Sequence, residues 1–201
     1  MTFMKTRCAF FVFLFAAVSF AAAQTTAIEY FNSGVHKYKA GDLDGAIADF
    51  SKTIEIDPAH WKAYSSRGVA KRDKKDVDGA LADYSRAIEL NPKNAGIYSN
   101  RGVALRDKGD VDGALADYSR ALQLDPQDSW TYSNRGAIKA DRGDLDGAIA
   151  DFSEAIRLRP DYAEAYFNRS VSKKRKGDLD GATADRAKAV ELDPRLGPTK
   201  K

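Results

Sequence analysis

The chain is poor in the side chains that most often carry chemistry. Of its 201 residues, one is cysteine, two are histidine and two are methionine. A single cysteine excludes an internal disulfide framework and a thiolate metal cage. His36 and His60 have no sequence-visible partner. The reading is therefore no metal and no cofactor. An excess of one charge is missing too. There are 32 Lys+Arg against 29 Asp+Glu, a net +3, so the totals offer no basic face for a nucleic-acid backbone. A mean hydropathy of −0.49 with one long apolar run excludes a multi-span membrane protein. Apolar residues at 43% with little net charge exclude a disordered chain. G-x-S-x-G, the phosphate-binding G-x-x-x-x-G-K-[ST] loop and H-E-x-x-H are all absent, and the chain is read as not an enzyme.

What is present begins with a leader. Lys5 and Arg7 precede an apolar run from Cys8 to Ala23, broken only by Ser19 and ending Ala21-Ala22-Ala23-Gln24. A basic start, an apolar stretch and small residues at its end describe a secretory signal peptide, with cleavage expected after Ala23. The run falls short of the roughly 20 residues needed to span a bilayer. An uncleaved leader anchoring the chain in the inner membrane is the alternative; after cleavage no stable membrane insertion is expected. Cys8 stands before the apolar run, where a lipoprotein cysteine would follow it. Cleavage removes the cysteine and two cations, leaving 30 basic and 29 acidic residues. A thiol-free mature chain suits an oxidising compartment.

The remainder repeats with a period of 34. Pro58, Pro92, Pro126, Pro160 and Pro194 keep that step, as do Tyr30, Tyr64, Tyr98, Tyr132 and Tyr166. Ala46, Ala80, Ala114, Ala148 and Ala182 repeat likewise, and so do Gly41, Gly109, Gly143 and Gly177, with Lys75 in the missing slot. Such a period marks a repeat array. The division is signal peptide 1–23, lead-in 24–26, units 27–60, 61–94, 95–128, 129–162 and 163–196, and tail 197–201.

Each unit reads as two helices. In the third, the first helix is expected from Ala95 to Lys108, ending at Gly109, which tolerates a left-handed terminus. Asp110 then caps the second helix and Asp112 complements its dipole. Val111, Leu115, Tyr118, Leu122 and Leu124 recur at helical spacing. Pro126 ends the helix. Gly34, Gly68, Gly102 and Gly136 lie mid-helix, where glycine costs about 1 kcal/mol relative to alanine. Close helix approach explains them.

A 34-residue helix–turn–helix with small residues at unit positions 8, 20 and 27, an aromatic at 24 and proline at 32 resembles the tetratricopeptide repeat (TPR) family. The unit 95–128 carries Tyr98, Gly102, Ala114, Tyr118, Ala121 and Pro126 at the matching places. The resemblance implies an all-α, right-handed α-solenoid of five repeats. There are departures. Position 7, often large and apolar in the family, is Ser33, Arg67, Arg101, Arg135 and Arg169; position 11, often aromatic, is Lys37, Lys71, Leu105, Lys139 and Lys173. These are expected to weaken the inter-helix core. In the fifth unit Ser170 replaces the glycine and Arg186 the aromatic. Thr183, Arg186 and Lys188 make the final helix polar, as a terminal repeat with nothing stacked on it requires.

Two motifs invite chemistry. The loops Asp73–Gly79, Asp107–Gly113 and Asp141–Gly147 resemble a calcium loop, but alignment puts Lys74, Lys108 and Arg142 where the first carboxylate belongs. Capping is the better reading, with Asp76 and its equivalents as caps. Helix-pair solenoids that read RNA have period 35 and a basic groove; this chain has period 34 and near-neutral charge, so nucleic acid is not an expected partner.

By the same resemblance, members bind extended peptides on a concave face built from positions 2, 5, 9 and 12 of the first helices. Here those rows give Phe31, Val35 and Tyr38, with Ile28 before them; Lys62, Ser65, Val69 and Arg72; Ser99, Val103 and Arg106; Trp130 and Ser133; Phe167, Val171 and Lys174. Phe31, Tyr38, Trp130 and Phe167 are the expected anchors for a segment of mixed apolar and acidic character. The carboxylate clamp of chaperone-docking members needs Lys at position 5 and Asn at 9, and neither is present. The chain is thus read as a periplasmic or secreted protein-binding scaffold whose partner is a protein or peptide. The alternatives are a homo-oligomer assembled by end-to-end repeat stacking and a solute-binding or enzyme-associated envelope protein.

Overall fold

The computed structural model describes residues 26–197. The leader with its cleavage site, and the last four residues of the tail, lie outside the described residues. Ten helices follow one another without a strand among the described residues: α1 (26–39), α2 (Leu43–Ile56), α3 (Trp61–Asp73), α4 (Val77–Leu90), α5 (Ala95–Lys108), α6 (Val111–Leu124), α7 (Ser129–Asp141), α8 (Leu145–Leu158), α9 (Ala163–Lys176) and α10 (Leu179–Leu192). A 3₁₀ turn, Pro194–Leu196, closes the series. The described residues form two compact units, one up to Pro92 and one from Lys93 onward. The first contains α1–α4 and the second α5–α10. Within each unit a second helix packs on its own first helix and also against the next first helix.

Local chemistry sets the helix ends. Asp42, Asp76, Asp110, Asp144 and Asp178 each accept a hydrogen bond from the backbone N–H three residues on, at 2.9–3.0 Å. This is the capping role expected for the acidic loops, and it satisfies one of the orphan donors of each second helix. Gly109 ends α5 at φ 88°, in the left-handed region, and Lys75 takes φ 69° where its glycine is missing. The second helices stop one residue before an extended residue and a proline, as Asp57 (φ −128°) before Pro58 illustrates, because helical geometry is disfavoured ahead of a proline ring. His60 is a cap: its Nδ1 accepts from the Ala63 N–H at 3.1 Å.

The core of each pair is a ring laid on a glycine. Phe50, Tyr84, Tyr118 and Phe152 are fully buried. A Cβ added at Gly102 would stand 2.8 Å from the Tyr118 ring, and one at Gly34 would stand 2.7 Å from Phe50. The mid-helix glycines are therefore steric requirements, as expected. In the last pair both partners change together, to Ser170 and Arg186.

Tyr84 brings a hydroxyl into this position without a hydrogen-bond partner, and burial pushes its pKa well above the usual tyrosine value. Phe50 and Phe152 occupy the equivalent site, so the shape accepts phenylalanine. Tyr84→Phe is expected to stabilise the protein by about 1 kcal/mol, the desolvation of one unpaired hydroxyl. A lower urea midpoint for the variant would show that the hydroxyl contributes.

Candidate protein-interaction surface

The first helices carry the expected rows, and packing divides those rows into open and closed parts. In the first unit Phe31 is half-buried, its ring centre 5.7 Å from Phe50 and 4.9 Å from His60. Tyr38 is half-buried, and its Oη donates to Asp73 Oδ2 at 2.6 Å; that bond is the main reason its pKa is raised. Both side chains are thus engaged within the unit. Val35, Ser65 and Val69 are half-buried, Lys62 is exposed, and Arg72 reaches Asp73 at 3.1 Å.

In the second unit three row residues are closed off. Ser99 is buried and shares a hydrogen bond with Thr131 of α7, while Val103 lies in the core with Tyr118 and Ile138. Ser133 is buried as well. The expectation that Ser99, Val103 and Ser133 line an open groove is therefore corrected. Ser99 and Val103 sit in the seam where α7 meets α5, because a small side chain on one first helix lets the next approach. Arg106 is exposed, with Nη1 3.3 Å from Asn134 Oδ1. Phe167 is half-buried beneath the Arg186 guanidinium, whose carbon lies 4.1 Å from the ring centre.

Four large apolar residues are exposed among the described residues: Ile28 (54%), Trp130 (40%), Val171 (43%) and Leu179 (61%). Three of them occupy row positions on first helices. Lys174, one helical turn after Val171, is exposed too.

The charged departures turn out to be a buried network. Arg135 donates through Nε and Nη2 to the two oxygens of Asp151, at 2.9 and 2.8 Å, and Lys139 Nζ reaches the same carboxylate at 2.8 Å. Arg67 and Lys71 treat Asp83 in this way, and Arg169 and Lys173 treat Asp185. Arg101 forks onto Asp117, with Leu105 in the lysine's place. In the first pair Ser33 and Lys37 share Asp49. Burial alone would raise the Asp185 carboxyl. The Arg169 and Lys173 hydrogen bonds outweigh that and hold it below the ordinary carboxylate range. Hydrogen bonds donated to Asp83, Asp117 and Asp151 likewise raise the pKa of Arg67, Arg101 and Arg135. The expected weakening of the core at positions 7 and 11 is thus offset by partners. The recurring Asp sixteen residues after each Arg, set mid-helix directly after an Ala, was the sequence sign of this network.

The same arginines tie successive pairs together. Arg67, Arg135 and Arg169 reach Ser51, Ser119 and Ser153 of the preceding second helix at 2.9, 3.3 and 2.9 Å. At the turns Lys74 pairs with Asp44, Arg142 with Asp112 and Lys176 with Asp146. These aspartates are occupied structurally. Among the described residues, no group of three or more His, Cys, Asp or Glu is arranged to hold a metal ion, and no helix is long and apolar enough to cross a membrane.

Comparison with known proteins places this architecture. Family models described as tetratricopeptide repeat match residues 31–95, 70–129 and 163–196, and one described as TPR repeat matches 136–177. No curated protein matches. Among solved structures, MamA is 24% identical, with 88% of this chain and 96% of that chain covered and a TM-score of 0.74. YrrB, described as a TPR protein with an unusual peptide-binding site, is 25% identical over 85% of this chain and 89% of its own, with a TM-score of 0.69. PilF of Pseudomonas aeruginosa is 19% identical, with 89% and 80% covered and a TM-score of 0.78. These neighbours share the fold, a solenoid of helix-pair repeats. With matching family models over most of its length and consecutive helix pairs throughout its described residues, the chain belongs to the tetratricopeptide repeat family, all-α solenoids that serve as protein-interaction scaffolds.

Proposed function

We propose that this chain is a non-enzymatic adaptor that binds an extended peptide or protein segment along the open parts of its first-helix rows. The observation that carries the reading is the placement of exposed apolar side chains: Ile28, Trp130 and Val171 all fall at row positions. Single exposed apolar residues are ordinary on any surface. Their recurrence on the row positions of three repeats, position 2 for Ile28 and Trp130 and position 9 for Val171, is not. Lys62, Arg106 and Lys174 are exposed in the same rows and suit carboxylates on the segment. The peptide-binding site in the description of YrrB supports the same mode of action. We further propose that the leader directs export and is removed, so that the scaffold works in the periplasm or outside the cell.

The test is crosslinking capture by protein recovered from the producing cell's envelope, whose intact mass is expected to lack residues 1–23. Trp130→Ala is expected to reduce capture of its principal partner about 30-fold, the loss typical of an aromatic anchor worth about 2 kcal/mol. Helicity by circular dichroism should not change, because the indole is exposed. Undiminished capture by Trp130→Ala combined with Lys62→Glu would move the site off these rows.

A further inference from the structure

The last helix pair leaves a groove open between α9 and α10. Its volume is about 1000 Å³, and Val171, Lys174, Leu179, Thr183, Arg186 and Val190 contribute to its walls. Two of the four exposed large apolar residues, Val171 and Leu179, lie in it. The outer side of α10 is polar at Thr183 and Arg186, as expected, but the groove still has an apolar floor.

The fold itself shows what such a groove accepts. The groove of the preceding pair, between α7 and α8, receives α9. The shape is that of an α-helix. The charge is asymmetric: Lys174 and Arg186 are the charged residues lining the groove, and no carboxylate joins them. A helix seated there meets cations on both walls, since Lys174 stands on α9 and Arg186 on α10. Its apolar stripe would need acidic flanks.

A second copy of this chain is a poor fit. Successive pairs are tied by an Arg reaching a Ser on the preceding second helix, and by a turn cation reaching an Asp. The first helix of a second copy offers Ser33 and Ala40 at the two donor positions, and α10 offers Ala187 in place of the Ser. The chain's own last four residues carry two lysines, the same sign as the groove.

We propose that the α9–α10 groove is a second docking site, and that it takes an amphipathic helix of another protein with acidic residues flanking its apolar stripe. This site shares Val171 and Lys174 with the far end of the rows but not Trp130, and it does not depend on an extended segment binding there.

The probes are two fluorescent synthetic helices of about five turns, each with the same Leu/Ala stripe, flanked by Glu in one and by Lys in the other. Anisotropy with the purified protein is expected to show the acidic helix binding about tenfold or more tighter than the basic one. Ala187→Trp, which places a ring in the groove from the exposed side of α10, is expected to weaken the acidic helix about tenfold. Lys174→Glu with Arg186→Glu should reverse the preference, and it provides the same reading if the tryptophan disturbs the fold. Trp130→Ala should leave this binding unchanged, so loss of the row site and loss of the groove site are read separately. Equal binding of the two helices, or acidic-helix binding indifferent to both sets of variants, overturns the proposal. So does a self-association in light scattering that Ala187→Trp abolishes, because the occupant is then a second copy.

Discussion

Asp151→Ala is expected to destabilise its helix pair by about 3 kcal/mol, the lower end of the range for removing one partner from a buried ion pair. The carboxylate is nearly buried and receives three hydrogen bonds, two from Arg135 and one from Lys139. Its loss strands two cations between α7 and α8. Partial exposure of both cations lets water reach them, which keeps the loss near 3 kcal/mol and not above it. Arg135 retains its contact with Ser119 at 3.3 Å, but that neutral oxygen does not balance the charge. Lys139→Leu is expected to change stability by less than about 1 kcal/mol, because Leu105 already occupies the equivalent place beside Arg101 and Asp117. A repeat array loses stability pair by pair. The effect should therefore appear in hydrogen exchange of α7 and α8 before it appears in the amides of the first unit. Equal effects of Asp151→Ala and Lys139→Leu would show that the carboxylate is not the hub of the network.

Gly102→Val is expected to cost about 3 kcal/mol by overpacking, even though valine is the better helix former. The first atom of the new side chain would lie 2.8 Å from the Tyr118 ring, closer than real contacts allow. That ring is fully buried and has no space to leave. The same change at Gly136 should be milder, because a Cβ added there would stand 3.1 Å from the Phe152 ring. A thermal or urea midpoint series over the two variants tests the order. The final pair shows the rule from the other side: with Arg186 in place of the ring, Ser170 is accommodated on the first helix. Gly102→Val no worse than Gly136→Val would mean that the helix pair separates to make room, and that the ring–glycine contact does not set the spacing.

The features legible in the sequence were those with a local cause. Asp110 caps α6 because its oxygen reaches a backbone N–H three residues away. Gly109 turns the chain because no Cβ opposes a positive φ. Neither depends on which helix lies alongside. The pairing of Arg135 with Asp151 was hidden for the opposite reason. Sixteen residues separate them, and only the antiparallel packing of α7 on α8 brings guanidinium and carboxylate together. Read singly, Arg at position 7 looked like a defect in the core. The row residues failed in the same way. Ser99, Val103 and Ser133 fall on the predicted helix face, yet whether that face is open depends on how closely the next first helix approaches.

The 34-residue period, the helix limits and the choice of TPR architecture are determined by the sequence alone, because caps, proline stops and a repeating ring–glycine pattern act within one repeat. The tertiary structure decided which charges are buried pairs, which row residues remain exposed and where a helix-sized groove is left. Those outcomes depend on contacts between helices distant in the chain, where burial and distance, not residue type, set the energy.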